Sequence, residues 1–352
     1  MGDVIHLDAY RFNDGEEDMR YEWKGSDFRT VDGLYFDRAT SPPFPVHHIT
    51  TPLRQDIIDR IPKRVSNTTF QPEATEVFMP FSLDAEPFWA IGVESGFLNN
   101  FYAPYTMLLY VLRDHPKALF DMVSGEMVED EAAYIRIQNS FNNLYTRLLK
   151  HQGSGRNGDA SEDEMVRAGV LFYKLLQTCS NHEGLVVDND GNFMNVWGGE
   201  KKILNPKLKE LQTYASKLKH CCVSGLDWNV FFHRYIWRSN ENSLWFFNIP
   251  AVKRHKRTQY DFTIEDMYVL LGDYIPMLTS KGAKVLCLIP VEEKLRDRVV
   301  NHFDMKQSHY DLESYSGSGI HMLSNVMTHN GSESFIMVSN YEFPYVAKQM
   351  EM

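Results

Sequence analysis

The residues best suited to chemistry lie in Asn248-Ile-Pro-Ala251 and in the basic run Lys253-Arg254-His255-Lys256-Arg257 behind it. The apolar run Leu244 to Phe247 stops at Asn248 and Pro250, as a buried strand does on leaving a sheet. Proline has no N–H to give a ladder, so Pro250 belongs at or past the strand's end. Ligand sites of open α/β folds sit at the carboxyl ends of strands. The spacing therefore predicts that Asn248 projects its amide into such a crevice, beside four Lys or Arg side chains. The plain alternative is a strand end followed by a solvated basic loop.

The elements that must position these residues alternate in type. Strands are expected at Glu76–Phe81, Ala90–Val93, His220–Leu226, Leu244–Phe247, Val285–Ile289 and Phe335–Ser339. Helices are expected at Leu53–Ile61, Tyr105–Leu112, Pro116–Val123, Glu131–Leu149, Glu164–Gln177, Asn205–Lys219, Thr263–Leu278 and Val291–Phe303. Asn205 is the expected N-cap of its helix with Pro206 in the first turn, and Thr263 with Asp266 forms a capping-box variant. Asn189-Asp-Gly191 supplies the left-handed positions of a hairpin turn. Residues 151–160 are Gly-rich and polar, the pattern of an exposed loop. Strands alternating with helices call for α/β layers around a mostly parallel sheet.

Composition bounds the function. The chain has 352 residues, 43% hydrophobic and 24% charged, an ordinary globular balance. A net charge of −11 argues against coating nucleic acid along the whole length, yet leaves room for a local basic patch. The four cysteines show neither C-x-x-C spacing nor pairing with histidine, so free, mostly buried thiols in a reducing compartment are expected. The acidic N-terminal stretch lacks an apolar signal core, and no run approaches the roughly 20 apolar residues of a bilayer span. The expectation is a cytoplasmic protein.

The order of elements, with its punctuation, resembles the Dam-type N6-adenine DNA methyltransferases. The resemblance runs over roughly residues 43–342 and rests on several segments. Met79-Pro-Phe81 matches the Pro-Phe that opens the family's AdoMet loop. Leu98-Asn-Asn-Phe-Tyr-Ala-Pro-Tyr105 matches the segment carrying its ribose-binding acid. Tyr134-Ile-Arg-Ile-Gln-Asn-Ser-Phe-Asn142 and Asn189-Asp-Gly-Asn-Phe-Met-Asn-Val-Trp-Gly198 resemble a family helix and its DNA-facing hairpin. Val223-Ser-Gly-Leu-Asp-Trp228 resembles the strand end whose acid lies near AdoMet. Asn248-Ile-Pro-Ala251 stands at the catalytic [DNS]-P-P-[YFW] tetrapeptide, and Ser334-Phe-Ile-Met-Val-Ser-Asn340 matches the closing strand.

The resemblance implies an α/β fold with a Rossmann-like class I methyltransferase sheet and a mostly helical target-recognition insert. Residues 1–42 would be an N-terminal extension, 43–130 and 221–352 the methyltransferase-like domain, and 131–220 the insert. It implies catalytic roles for Asn248, Pro250 and Asp227, and cofactor contacts from Pro80, Phe81, Asn100 and Asp227. It also implies nucleic-acid contacts from Asn189, Asn192, Lys201, Lys202, Lys253, Arg254, Lys256 and Arg257.

The departures are chemical. Ala251 replaces the aromatic that stacks on a flipped base, a loss of about 1–3 kcal/mol of base binding. Residues 80–87 lack the glycines that let backbone approach the cofactor, and Asn99-Asn100 replace the ribose-binding carboxylate. These changes argue against ordinary AdoMet binding. The expectation is a DNA-binding, catalytically silent relative of these enzymes. The alternatives are a phage-type hypermodification transferase with a site rebuilt from Asn248, Asp227 and Asp84 or Glu94, a still-active adenine methyltransferase, or an interaction subunit that no longer binds DNA. His47, His48 and His115 have no ligand-like spacing, so no metal site is expected. Tyr315-Ser-Gly-Ser-Gly-Ile320 reads as a turn rather than a phosphate loop.

Overall fold

The computed structural model describes residues 63–65, 70–72, 76–82, 88, 95–100, 102–153, 161–180, 185–188, 190–250, 252–253, 262–290, 298–299, 301–302, 306–307, 321–324 and 335–341. In chain order the strands are β1 (Lys63–Val65), β2 (Phe70–Pro72), β3 (Glu76–Met79), β4 (Ser95–Asn99), β5 (Met127–Val128), β6 (Lys202–Ile203), β7 (Cys221–Ser224), β8 (Ser243–Asn248), β9 (Val252–Lys253), β10 (Phe262–Thr263), β11 (Lys284–Pro290), β12 (Lys306–Gln307), β13 (His321–Ser324) and β14 (Phe335–Ser339). The helices are α1 (Ala103–Asp114), α2 (Pro116–Val123), α3 (Glu131–Gly153), α4 (Glu162–Thr178), α5 (Leu208–Leu218), α6 (Trp228–Tyr235), α7 (Ile264–Val269) and α8 (Ile275–Ser280). The chain divides into two compact units. The first holds Ser82 and the described residues from 97 to 231, and the second holds the other described residues.

The second unit is built on a mixed α/β sheet in which β12, β13, β14, β11, β8 and β3 are successive neighbours. β8 is parallel to both β3 and β11. β14 runs antiparallel to β11 and to β13. Every residue of β8 is buried, as a Leu-Trp-Phe-Phe run between two neighbours must be. Trp245 stacks on Phe78 at 4.8 Å between centroids and donates its indole N–H to Ser239 Oγ at 2.8 Å. The expected capping box opens α7, with the Asp266 N–H on Thr263 Oγ1 (3.1 Å) and the Thr263 N–H on the Asp266 carboxylate (2.9 Å). A π-helical turn, Leu270–Tyr274, joins α7 to α8. It immediately precedes the turn containing Pro276, which has no N–H for the helical ladder and whose ring crowds the carbonyl four residues back.

The first unit is mostly helical, with β4 beside β7 at one side. Residues 103–112 of α1 are all buried, so this helix is apolar all round rather than amphipathic. α4 approaches it closely at Gly169, where a Cβ would lie 2.9 Å from the Met107 carbonyl oxygen. An aromatic cluster fills the core: Phe172 meets Tyr105, Phe141 and Phe193 at 5.0, 5.4 and 5.6 Å between centroids. Cys179, Cys221 and Cys287 are buried free thiols. Burial pushes Cys179 up to about 12, so it carries no reactive thiolate near neutral pH.

Several expectations are corrected. A strand not expected from the sequence lies at Ser95–Asn99, and it tolerates Gly96 because a Cβ there would press Phe88 and Val77 at 3.2 Å. The helix expected from Asn205 begins at Leu208, and Lys207 rather than Asn205 precedes it. The cause is the pairing of β6 with β5, extended by the Leu204 N–H on the Glu126 carbonyl, which keeps the chain straight past residue 204. α3 continues through Gly153, into the stretch expected as loop. α6, with Asp227 just before it, is a helix where no element is expected from the sequence. Leu53–Ile61, residues 90–93, His47, His48 and 315–320 lie outside the described residues, as does most of 291–303, where 298–299 and 301–302 are helical.

Candidate functional site

In the second unit, the carboxyl ends of β3 and β8 carry four of the expected residues. Asn248 closes β8 as the register partner of Leu288 and is only 3% exposed. The next residue, Ile249, gives its N–H to the Leu288 carbonyl at 2.9 Å, and Pro250 follows, buried, just past the strand as its missing N–H requires. β9 and β10, parallel to each other, hold the chain beyond Pro250 through the pairs Val252↔Phe262 and Lys253↔Thr263. Pro80 and Phe81 form the turn after β3, both buried, with Phe81 edge-on to Phe262 at 5.7 Å. This turn is packed with side chains, where a Gly-rich loop would leave backbone bare for a cofactor.

In the first unit, the ends of β4 and β7 meet in a hydrogen-bond cluster that contains Asn100 and leads into Asp227. Asn99 is fully buried and wholly committed. Its Nδ2 donates to the Leu226 carbonyl, and its Oδ1 accepts from the Leu226 N–H and Ser224 Oγ, each at 2.8 Å. Asn100, equally buried, gives its backbone N–H to the Ser224 carbonyl and accepts from Ser82 Oγ at 3.1 Å. Its Nδ2 is the exception: a buried amide donor with no hydrogen-bond partner among the described residues. Ser82 also bonds the Asn99 carbonyl through both N–H and Oγ. Nothing in the sequence around Ser82 or Ser224 marked them as members of this cluster.

Asp227 caps α6. Its Oδ1 accepts the Asn229 N–H at 2.9 Å and its carbonyl accepts the Phe231 N–H at 2.8 Å. An acid at a helix N-terminus is stabilised by the orphan N–H groups and the dipole there, which gives this carboxylate a structural role whatever else it does.

The hairpin expected around Asn189 is present, although Asn189 itself lies outside the described residues. Val187 bridges Phe193, the Gly191 N–H reaches the Asp188 carbonyl at 3.1 Å, and Gly191 has φ +81°. The turn is closed by a left-handed glycine. Asn192 is committed to the turn: its Nδ2 donates to Asp188 Oδ2 (2.8 Å) and its Oδ1 accepts from Thr146 Oγ1 (3.3 Å). A polar stripe on α3 continues the clamp. Asn142 both donates to and accepts from the Phe193 backbone (3.0 and 2.9 Å), while Tyr134 and Gln138 donate to the Asn195 carbonyl (2.6 and 2.9 Å). Residues 134, 138, 142 and 146 share a helix face by their four-residue spacing.

Burial works against the charged form of Asp188. The hydrogen bonds from the Asn192 side chain and from the N–H groups of Asn192, Asp190 and Gly191 outweigh it and hold the carboxyl below its ordinary value. A depressed carboxylate stabilises the turn fully above the ordinary value of 3.8, and the contribution is lost as pH falls through the lower, folded value. The amide shifts of Asp190 and Asn192 should therefore titrate with a midpoint below 3.8, and a midpoint at or above it would refute the turn's electrostatics.

Among the basic residues, Lys202 is occupied: its Nζ donates to the Gln177 carbonyl at 2.6 Å, at the C-terminal end of α4 where a cation meets the helix dipole. Lys201 is exposed. The backbone of Lys253 is in β9, and Arg254, Lys256 and Arg257 lie outside the described residues, as do Asp84 and Glu94. Among the described residues no group of three or more His, Cys, Asp or Glu could hold a metal ion. His115 instead meets Tyr110 Oη at 3.2 Å and Glu162 at 3.1 Å, while Arg113 occupies Asp114. No helix among the described residues is long and apolar enough to cross a membrane. Comparison of the chain with models of known protein families and with curated proteins finds no match.

Proposed function

We propose that this protein binds DNA through a Dam-type, Rossmann-like methyltransferase fold and does not methylate adenine. One observation carries the catalytic half of this reading: the end of β4 presents two buried amides and no carboxylate. Ribose hydroxyls need an acceptor, and both polar atoms of the Asn99 side chain are already committed to Ser224 and Leu226. The packed turn at Pro80–Phe81 and the missing aromatic at Ala251 point the same way. Support for the fold reading comes from β14, the counterpart of the family's closing strand, which lies antiparallel between β13 and β11. The burial of Asn248 at the end of a strand flanked by two parallel neighbours supports the catalytic position that the resemblance gives it.

Calorimetric titration separates the possibilities. The expected result is no heat with AdoMet and salt-sensitive binding of a short DNA duplex. Micromolar AdoMet binding would overturn the silent-site reading, and unchanged mobility of duplex DNA at low salt would overturn DNA engagement. A second reading, a base-modifying transferase with a rebuilt site, is favoured by the unpartnered Asn100 Nδ2, a buried donor of the kind that fixes a ligand oxygen. It requires a modified-base product that disappears in Asn248→Ala while the fold persists.

A further inference from the structure

We infer that the amino-terminal edge of the second unit's sheet is a stacking surface for an unpaired nucleic-acid strand, centred on Trp237. This indole is 80% exposed, more than any other large apolar side chain among the described residues. A lone exposed apolar residue is ordinary, but the backbone that carries this one is anchored on both sides. Ile236 before it is buried, and Ser239 after it is buried against the Trp245 indole at 2.8 Å. The turn that follows is closed by the Ser243 N–H on the Asn240 carbonyl and the Asn242 N–H on Asn240 Oδ1. A ring on a rigid turn is pre-organised for a flat partner.

Cations surround it. The Lys281 ammonium stands 5.1 Å from the ring centroid. Arg234 is three residues upstream on a continuous helical stretch, hence on the same face, and Arg238 follows the ring directly. Lys284 opens β11 at the same edge. The acids there are Glu76, which Arg238 approaches at 3.8 Å, and Glu241, packed under Gly282. Among the described residues, cationic side chains outnumber acids at this edge, a local basic patch on a chain of net charge −11. It lies at the strand ends opposite Asn248, so it is not part of the site described above.

The chemistry selects the occupant. A base whose face is free can stack on the indole while Lys and Arg meet its phosphates. A duplex keeps its base faces stacked internally, and an acidic peptide would use the cations but not the ring.

The test uses the full chain and a dye-labelled oligothymidylate of about 12 nucleotides, a length within the usual site size for such surfaces. Anisotropy should show binding that weakens steeply with salt. Trp237→Ala should lower the affinity by about 5- to 100-fold, the loss of one base–aromatic stack, and Trp237→Phe should retain most of it. The side chain is solvent-exposed, so an unchanged thermal transition is expected and checks that the variant is folded. Duplex binding should be the same in Trp237→Ala as in the parent, which keeps this result separate from the DNA-engagement reading. Equal oligothymidylate affinity in Trp237→Ala, no binding by the parent, or equal competition by polyglutamate would each overturn the inference.

Discussion

Replacing Asn99 with alanine should lower the stability of the first unit by about 3–5 kcal/mol, the range for breaking a buried polar network. The side chain makes three hydrogen bonds at 2.8 Å and none reaches solvent. Truncation leaves the Leu226 N–H, the Leu226 carbonyl and the Ser224 hydroxyl without this partner in a buried setting. Each orphaned group costs about 1–3 kcal/mol, well above the ~1 kcal/mol net value of an ordinary hydrogen bond. Asn99→Asp should fail comparably, because it removes the donor to the Leu226 carbonyl and buries a charge. Urea unfolding measures the loss, and hydrogen exchange at the Leu226 amide localises it. A loss below about 1 kcal/mol would mean that these groups find new partners and that the cluster does not fix the ends of β4 and β7.

Gly169→Ala sets two effects of opposite sign against each other. Alanine is the better helix former by about 1 kcal/mol, and on propensity alone the change should stabilise α4. The new Cβ would lie 2.7 Å from Val111 Cγ2 and 2.9 Å from the Met107 carbonyl oxygen. The valine can rotate, but the carbonyl belongs to the backbone of α1 and cannot move without it. Overpacking of this kind costs about 1–3 kcal/mol, so the net change should be destabilising. Gly169→Val should be worse, since it adds bulk at the same contact and forfeits propensity. Thermal unfolding of both variants provides the check. A stabilised Gly169→Ala would show that α1 and α4 are free to separate.

Much of the local architecture was legible in the residues themselves. Prolines with no N–H to give marked the ends of β8 and β11, a Thr-x-x-Asp capping pair marked the start of α7, and Asn-Asp-Gly marked a hairpin that closes on a left-handed Gly191. Such signals are short-range: a missing donor, a reciprocal cap and a positive φ act within a few residues. Where distant chain intervened, the signals misled. Asn205-Pro206 has the form of a helix start, but the β5–β6 pairing holds the chain extended up to Leu204, immediately before it, and the helix begins only at Leu208. No strand is expected over Ser95–Asn99, where Gly96 breaks the apolar run, yet that glycine makes room for Phe88 and Val77 in a strand.

The sequence by itself determined the inventory of the candidate sites: amides at 99, 100 and 248, an acid at 227, lysines at 201 and 202, and no aromatic at 251. Only the tertiary structure decided which of these groups still has bonding capacity to spend. Asn99 and Asn100 are adjacent and identical in type, yet one is exhausted by Leu226 and Ser224 while the other keeps an unpartnered Nδ2. Lys202 is held by the carboxyl end of α4, and Asn192 by Asp188 and Thr146. A side chain's chemistry is intrinsic, but its availability depends on partners that lie up to 127 positions away. Those partners are set by packing and not by any local pattern.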